Sequence, residues 1–105
     1  MGKKETLIKE LKTFKANLSK EVPIQKMILF GSQAKGTPHK WSDIDLLVVS
    51  RKFKKIKPYQ RLRGLHDHWT LDKPVDFLCY TPEEFARLKK GITLVREIVK
   101  NGIAV

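Results

Sequence analysis

Asp43 and Asp45 stand one residue apart at the head of the apolar run Leu46 to Val49, in the stretch "SDIDLLVVS". Side chains in a strand alternate faces, so the two carboxylates share one side, with Ile44 and Leu46 on the other. Their Cα atoms are then roughly 6.6 Å apart. At that spacing they can converge on one divalent cation, or grip a pair of cations set about 3.5–4 Å apart. Without a cation the arrangement is poor: two like charges 4 Å apart repel by about 1 kcal/mol in water and about 4 kcal/mol at an effective dielectric of 20. Taken alone, "SDID" is explained equally well as a capped turn in which Ser42 and Asp43 bond to loop backbone.

Two further features weigh against the plain turn. Upstream, "LFGSQAKG" places Gly31 and Ser32 after an apolar run. Glycine permits a tight bend and close approach of backbone to a ligand. If "SQAKG" starts a helical turn, the N–H groups at Ser32 and Gln33 form an anion site. Downstream, Asp76 interrupts the apolar stretch "PVDFLCY", and an acid among strand residues needs a reason. A phosphate cradle beside three carboxylates suits a metal-bridged polyphosphate. Magnesium is the expected ion, because it is shared between one or two carboxylates and phosphate oxygens. Three acids further suit two-metal phosphoryl or nucleotidyl transfer.

The elements that must position these residues follow from periodicity. Leu7, Ile8, Leu11, Phe14 and Leu18 recur at helical spacing and predict an amphipathic helix from about Lys4 to Lys20, closed by Pro23. "IQKMILFGS" predicts a buried strand. "QAKGTPHKWS" has room for at most one helical turn, given Gly36 and Pro38. "DIDLLVVS" predicts a second strand, central and covered on both faces. "RKFKKIK" is a basic connection to a helix from Pro58 to about Leu71, with Leu62, Leu65 and Trp69 on one side. "KPVDFLCY" predicts a third strand, with Val75, Phe77 and Cys79 on one face and Asp76, Leu78 and Tyr80 on the other. Thr81 as N-cap and Pro82 at the first position open a helix ending at Gly91. "ITLVREIVKNG" predicts a last short helix stopped at Asn101-Gly102. The expected order is helix, strand, strand, helix, strand, helix, helix.

The 105 residues suit one compact domain. With 41% hydrophobic residues the composition is globular. No run approaches about 18 apolar residues and the start has no signal-peptide stretch, so a cytoplasmic protein without a membrane partner is expected. The single cysteine, Cys79, excludes an internal disulfide and fits a reducing compartment. The excess of 22 Lys and Arg over 11 Asp and Glu, a net charge of +11, predicts an anionic partner or a lysine-rich solvated surface.

Other reactive types are better explained without chemistry. His66 and His68 lie two apart on a helix, hence on different sides, and like His39 they have no cysteine partner nearby, which disfavours zinc. Cys79 alternates with Val75 and Phe77 and reads as core. Trp41 packs the loop before the acids or stacks on a base, and Trp69 belongs to an apolar stripe. Arg61, Arg63 and the lysines of "RKFKKIK" steer a nucleotide, meet an acidic protein, or are solvated.

"FGSQAKG", "SDIDLLVV" and "VDFLCYTPEEF" together resemble the minimal nucleotidyltransferases, small members of the DNA polymerase beta superfamily. The resemblance runs from about Ile28 to Gly102. It implies an α/β (α+β) fold, a small mixed β-sheet with helices packed against it, as a single minimal nucleotidyltransferase domain over residues 1–105. It implies that Asp43, Asp45 and Asp76 are the catalytic, metal-binding acids for two Mg2+ ions. Gly31 and Ser32, with Lys35 and Ser42, are then the nucleotide-binding residues, and ATP is the substrate. Members often carry arginines where this chain has Gln33 and Lys35, and lysine lacks the planar fork that grips phosphate through two bonds. The family's end also usually runs on to an aromatic residue that is absent after Val105.

Many such proteins are antitoxins paired with an all-helical HEPN toxin, and some silence it by transferring AMP to a tyrosine hydroxyl. The resemblance therefore implies a Mg-dependent protein adenylyltransferase; larger relatives that modify tRNA or antibiotics carry an extra substrate domain for which this length has no space. Two rivals stand beside it. One is an antitoxin that neutralises its toxin by binding alone. The other, less favoured, is a basic nucleic-acid-binding module, for which no RRM, zinc-finger or KH signature is present.

Overall fold

A computed structural model of the chain describes residues 2–36 and 43–105. Helix α1 (Lys3–Leu18) turns Leu7, Leu11, Phe14 and Leu18 into the core, the i, i+4, i+7, i+11 stripe expected of an amphipathic helix. Strand β1 (Lys26–Phe30) follows, then a single turn, α2 (Ser32–Lys35), and strand β2 (Ile44–Val49). A 3-10 turn (Arg51–Lys55) and a shorter one (Pro58–Gln60) lead to α3 (Arg61–His66). The chain closes with β3 (Val75–Tyr80), α4 (Pro82–Leu88), α5 (Leu94–Asn101) and a two-residue strand, β4 (Ile103–Ala104).

The four strands form one mixed sheet in the order β3-β2-β1-β4. β1 runs antiparallel to β2 and β4, while β2 and β3 are parallel. β2 thus has neighbours on both edges and is covered on both faces, which explains its near-continuous apolar sequence: Ile44, Leu46, Leu47 and Val48 have no exposed surface. One face packs Met27, Leu29, Leu46, Val48, Val75 and Phe77 against α1 and α3. The other packs Ile28, Leu47 and Val49 against Phe85, Val95 and Ile98 of α4 and α5. β3 alternates as its sequence predicts: Val75, Phe77 and Cys79 join the first layer, Leu78 and Tyr80 the second.

Two elements differ from expectation. The helix expected from Pro58 to about Leu71 is α-helical only over Arg61–His66. Beyond it the chain tightens, with Trp69 N–H donating to His66 O, so that the Trp69 ring meets Phe14 edge-on at 5.1 Å. Its indole N–H donates to Lys73 O at 2.8 Å, which fixes the turn into β3. β4 was not expected at all, because two residues carry no periodicity. It forms because Gly102 lets the end of α5 press on β1: a Cβ there would fall 2.5 Å from both Ile28 Cγ2 and Ile98 O.

Among the described residues, no helix is long and apolar enough to cross a membrane.

Candidate active site at the open end of the sheet

The site begins with strand register. Asp45 pairs with Asp76 across the parallel β2–β3 ladder, and with Phe30 across the antiparallel β1–β2 ladder. Residues in register share a face, so Asp45 and Asp76 lie on the same side of the sheet, on strands about 4.8 Å apart. That side is the one covered by α4 and α5. At the end where β1 finishes and β2 and β3 begin, Asp76 is exposed and Asp45 half-buried. Asp43 is exposed just before β2.

Gly31 closes the site from the β1 side. Its φ of 76° and ψ of −156° lie in a region that essentially only glycine occupies. A Cβ at this position would also collide with Asp45 Oδ2. Both constraints have one cause: the backbone bends sharply out of β1 directly against the Asp45 carboxylate. The bend starts α2, where Lys35 N–H donates to Gly31 O at 3.2 Å. The N–H of Ser32, first in this turn, has no acceptor within it. Gln33 is buried and Lys35 exposed.

Burial pushes the Asp45 carboxyl above its ordinary pKa, and the charges of Asp76 and then Asp43 push it further. All three acids therefore act electrostatically on one small region. Among the described residues no three His, Cys, Asp or Glu side chains are already arranged as a metal cage. The donor chemistry nonetheless fits a hard divalent cation: carboxylate oxygens only, one of them half-buried and raised in pKa by like charges. A cation between Asp45 and Asp76 would reverse the sign of that interaction.

A hollow of about 320 Å³ lies between the Gly31 bend and α5, lined by Phe30, Gly31, Lys35, Leu94, Glu97 and Ile98, among others. Sequence reasoning missed it because its two walls are more than sixty residues apart in the chain; the one available signal was Leu94, an apolar residue left over from the buried stripe of α5.

The candidate residues Asp43, Asp45, Asp76, Gly31, Ser32 and Lys35 thus fall at one end of the sheet. Ser42, expected on the nucleotide side, lies outside the described residues, as do His39 and Trp41. Arg61 is not a steering residue on the surface: it is buried, donating to Glu84 Oε1 at 2.7 Å, Cys79 O at 3.0 Å and Ile56 O at 3.1 Å. His66 stands edge-on to Phe77, and His68 bridges to Glu21 at 3.0 Å. Burial pushes the Cys79 thiol up to about 12, which leaves it an inert packing group.

The chain matches the nucleotidyltransferase domain family over residues 11–104. No curated protein matches it. Among solved structures, a protein described as a nucleotidyltransferase from Sulfolobus solfataricus superposes with a TM-score of 0.68 at 22% identity, covering 96% of this chain and 80% of that one. At that identity the likeness speaks to the fold. A chain of a toxin–antitoxin crystallised with AMP-PNP superposes with a TM-score of 0.61 at 25% identity, covering 89% of this chain and 70% of that one.

Proposed function

We propose a reaction from one premise: this chain belongs to the nucleotidyltransferase domain family. In our reading it transfers AMP from ATP to a hydroxyl of a partner protein, a tyrosine of a HEPN toxin, and so acts as that toxin's antitoxin. The observation that carries the reading is the register of Asp45 with Asp76 on one face, with the Gly31 bend against the Asp45 carboxylate. The likeness to a toxin–antitoxin chain crystallised with AMP-PNP supports the choice of nucleotide and of partner class.

Asp43 and Asp45 would hold two divalent cations, Mg2+ by donor chemistry, and Asp76 would share one of them. When bound, the ions offset the charge of the triphosphate and lower the pKa of the acceptor hydroxyl. The chain's own residues do the rest. The Gly31–Ser32 bend brings backbone close enough to bind the β- and γ-phosphates, with Lys35 as a nearby point charge. Exposed Asp76 is open to the acceptor and takes the hydroxyl proton. The acceptor oxygen then forms a bond to the α-phosphorus, the bond from that phosphorus to the bridging oxygen breaks, and pyrophosphate leaves.

The test is incubation with Mg-ATP and the partner toxin, read by intact mass. A gain of one or more AMP units on the toxin is expected, lost in Asp43→Asn and Asp45→Asn. No gain with a toxin that the protein binds would overturn the reading.

A second reading, neutralisation by binding alone, is favoured by exposed apolar residues in and just before α5: Ile92, Leu94 and Val99 are 98%, 60% and 45% exposed. Equal protection of cells by wild type and Asp45→Asn would select it.

A further inference from the structure

The strongest unassigned feature lies at the other end of β2, roughly 20 Å from the acids by strand length. Directly after β2, the 3-10 turn Arg51–Lys55 has the sequence "RKFKK". In a 3-10 helix residues i and i+3 eclipse. Arg51 therefore lies in line with Lys54, and Lys52 with Lys55, while the third row turns inward. Phe53 in that row is 2% exposed, and Ile56 behind it packs against the same core. The four cations are all exposed.

The platform is held firmly. Fully buried Ser50 caps the turn by accepting from Lys52 N–H at 3.2 Å. Arg51 N–H donates to Gln25 Oε1 at 2.7 Å, and Lys52 Nζ to Glu21 O at 3.2 Å, tying the turn to the chain before β1. A hollow of about 340 Å³ opens there, lined by Pro23, Arg51, Lys52, Lys54 and Lys55 and by no acid. Lys26 starts β1 at this same end, and shares the Phe85 ring with Lys89. Tyr59, 71% exposed, follows in the next 3-10 turn.

We propose that the Arg51–Lys55 turn and Tyr59 form a binding surface for single-stranded nucleic acid. Cations held together with no acid among them call for an anion. The kind of anion follows from composition. Protein interfaces are depleted in lysine and built on an apolar centre, whereas Lys52, Lys54 and Lys55 make up most of this lining. Phosphate backbones are bound by just such rows of cations, and the exposed Tyr59, four residues further along the chain, offers a face on which a base stacks. The distance from the aspartates keeps the polyanion away from their charge.

The experiment measures binding of fluorescein-labelled 20-nucleotide oligouridylate to the full chain by anisotropy, across a KCl series. Four neutralised phosphates give a log–log slope near −3, at about −0.7 per phosphate on single strands. R51Q/K54Q/K55Q should bind at least tenfold more weakly at 50 mM KCl, with a slope near −1. Tyr59→Ala should weaken binding about fivefold without changing the slope, since loss of stacking costs no counterions. Thermal melts establish that each variant folds. Absence of binding at 50 mM KCl would overturn the proposal, as would an unchanged slope in the triple variant. Displacement by poly-L-glutamate at equal charge, with no effect of Tyr59→Ala, would assign the surface to an acidic protein instead.

Discussion

Replacing Asp45 by Asn removes one charge from the end of the sheet where Asp76 and Asp43 also act on it, and the effect on stability has a definite sign. Because the folded-state pKa of Asp45 is raised, by burial first and by its acidic neighbours second, the folded chain binds protons more tightly than the unfolded one. Stability from this group therefore falls as pH rises from the ordinary carboxylate value through the raised one, and stays low above it. Taking only the repulsion expected in water, about 1 kcal/mol, Asp45→Asn should melt about 4 °C higher than wild type at pH 7. The gap should close as pH falls below about 4. Added MgCl2 should raise the Tm of wild type and narrow the same gap. A variant that melts lower than wild type at neutral pH would show that the carboxylate is stabilised by its surroundings, contrary to the picture of an unneutralised pair.

The elements are held by local signals with one buried exception. α4 opens on the Thr81 cap expected from "TPEEF", and the structure completes it as a capping box: Thr81 Oγ1 accepts from Glu84 N–H at 3.1 Å, and Glu84 Oε1 accepts from Thr81 N–H at 2.8 Å. The same Glu84 then binds Arg61, which ties α3 to the end of β3. That pairing was not legible, since an arginine in a basic stretch reads as solvated until the fold encloses it. Arg61→Met leaves Ile56 O and Cys79 O without their donor and should cost about 2 kcal/mol, or a Tm lower by about 10 °C. The Arg61 hydrogen bond, before all other causes, lowers the Glu84 pKa. Its contribution is therefore present above the ordinary carboxylate range and lost as pH falls through the lowered value. Melts at acid pH should show this dependence in wild type and a weaker one in Arg61→Met; parallel curves would refute it.

For the molecule as a whole, the sheet separates charge: three aspartates gather at one end of β2 and a cationic turn at the other. With a net charge of +11 the folded chain repels itself. Raising NaCl from about 20 to 200 mM, which shortens the Debye length to below about 10 Å, should raise Tm by a few degrees. A flat response would mean that neighbouring acids already offset the excess. Residue types and their spacing were enough to place α1, three strands and the α4 cap, because helical and strand periods are local properties of the chain. They could not show that Asp76 stands in register with Asp45, since that depends on how a parallel crossover of some twenty-five residues closes. Nor could they reveal β4, the hollow beside Gly31, or the burial of Arg61. Each joins segments distant in sequence, and only the packing of both helical layers on one sheet decides which of those segments meet.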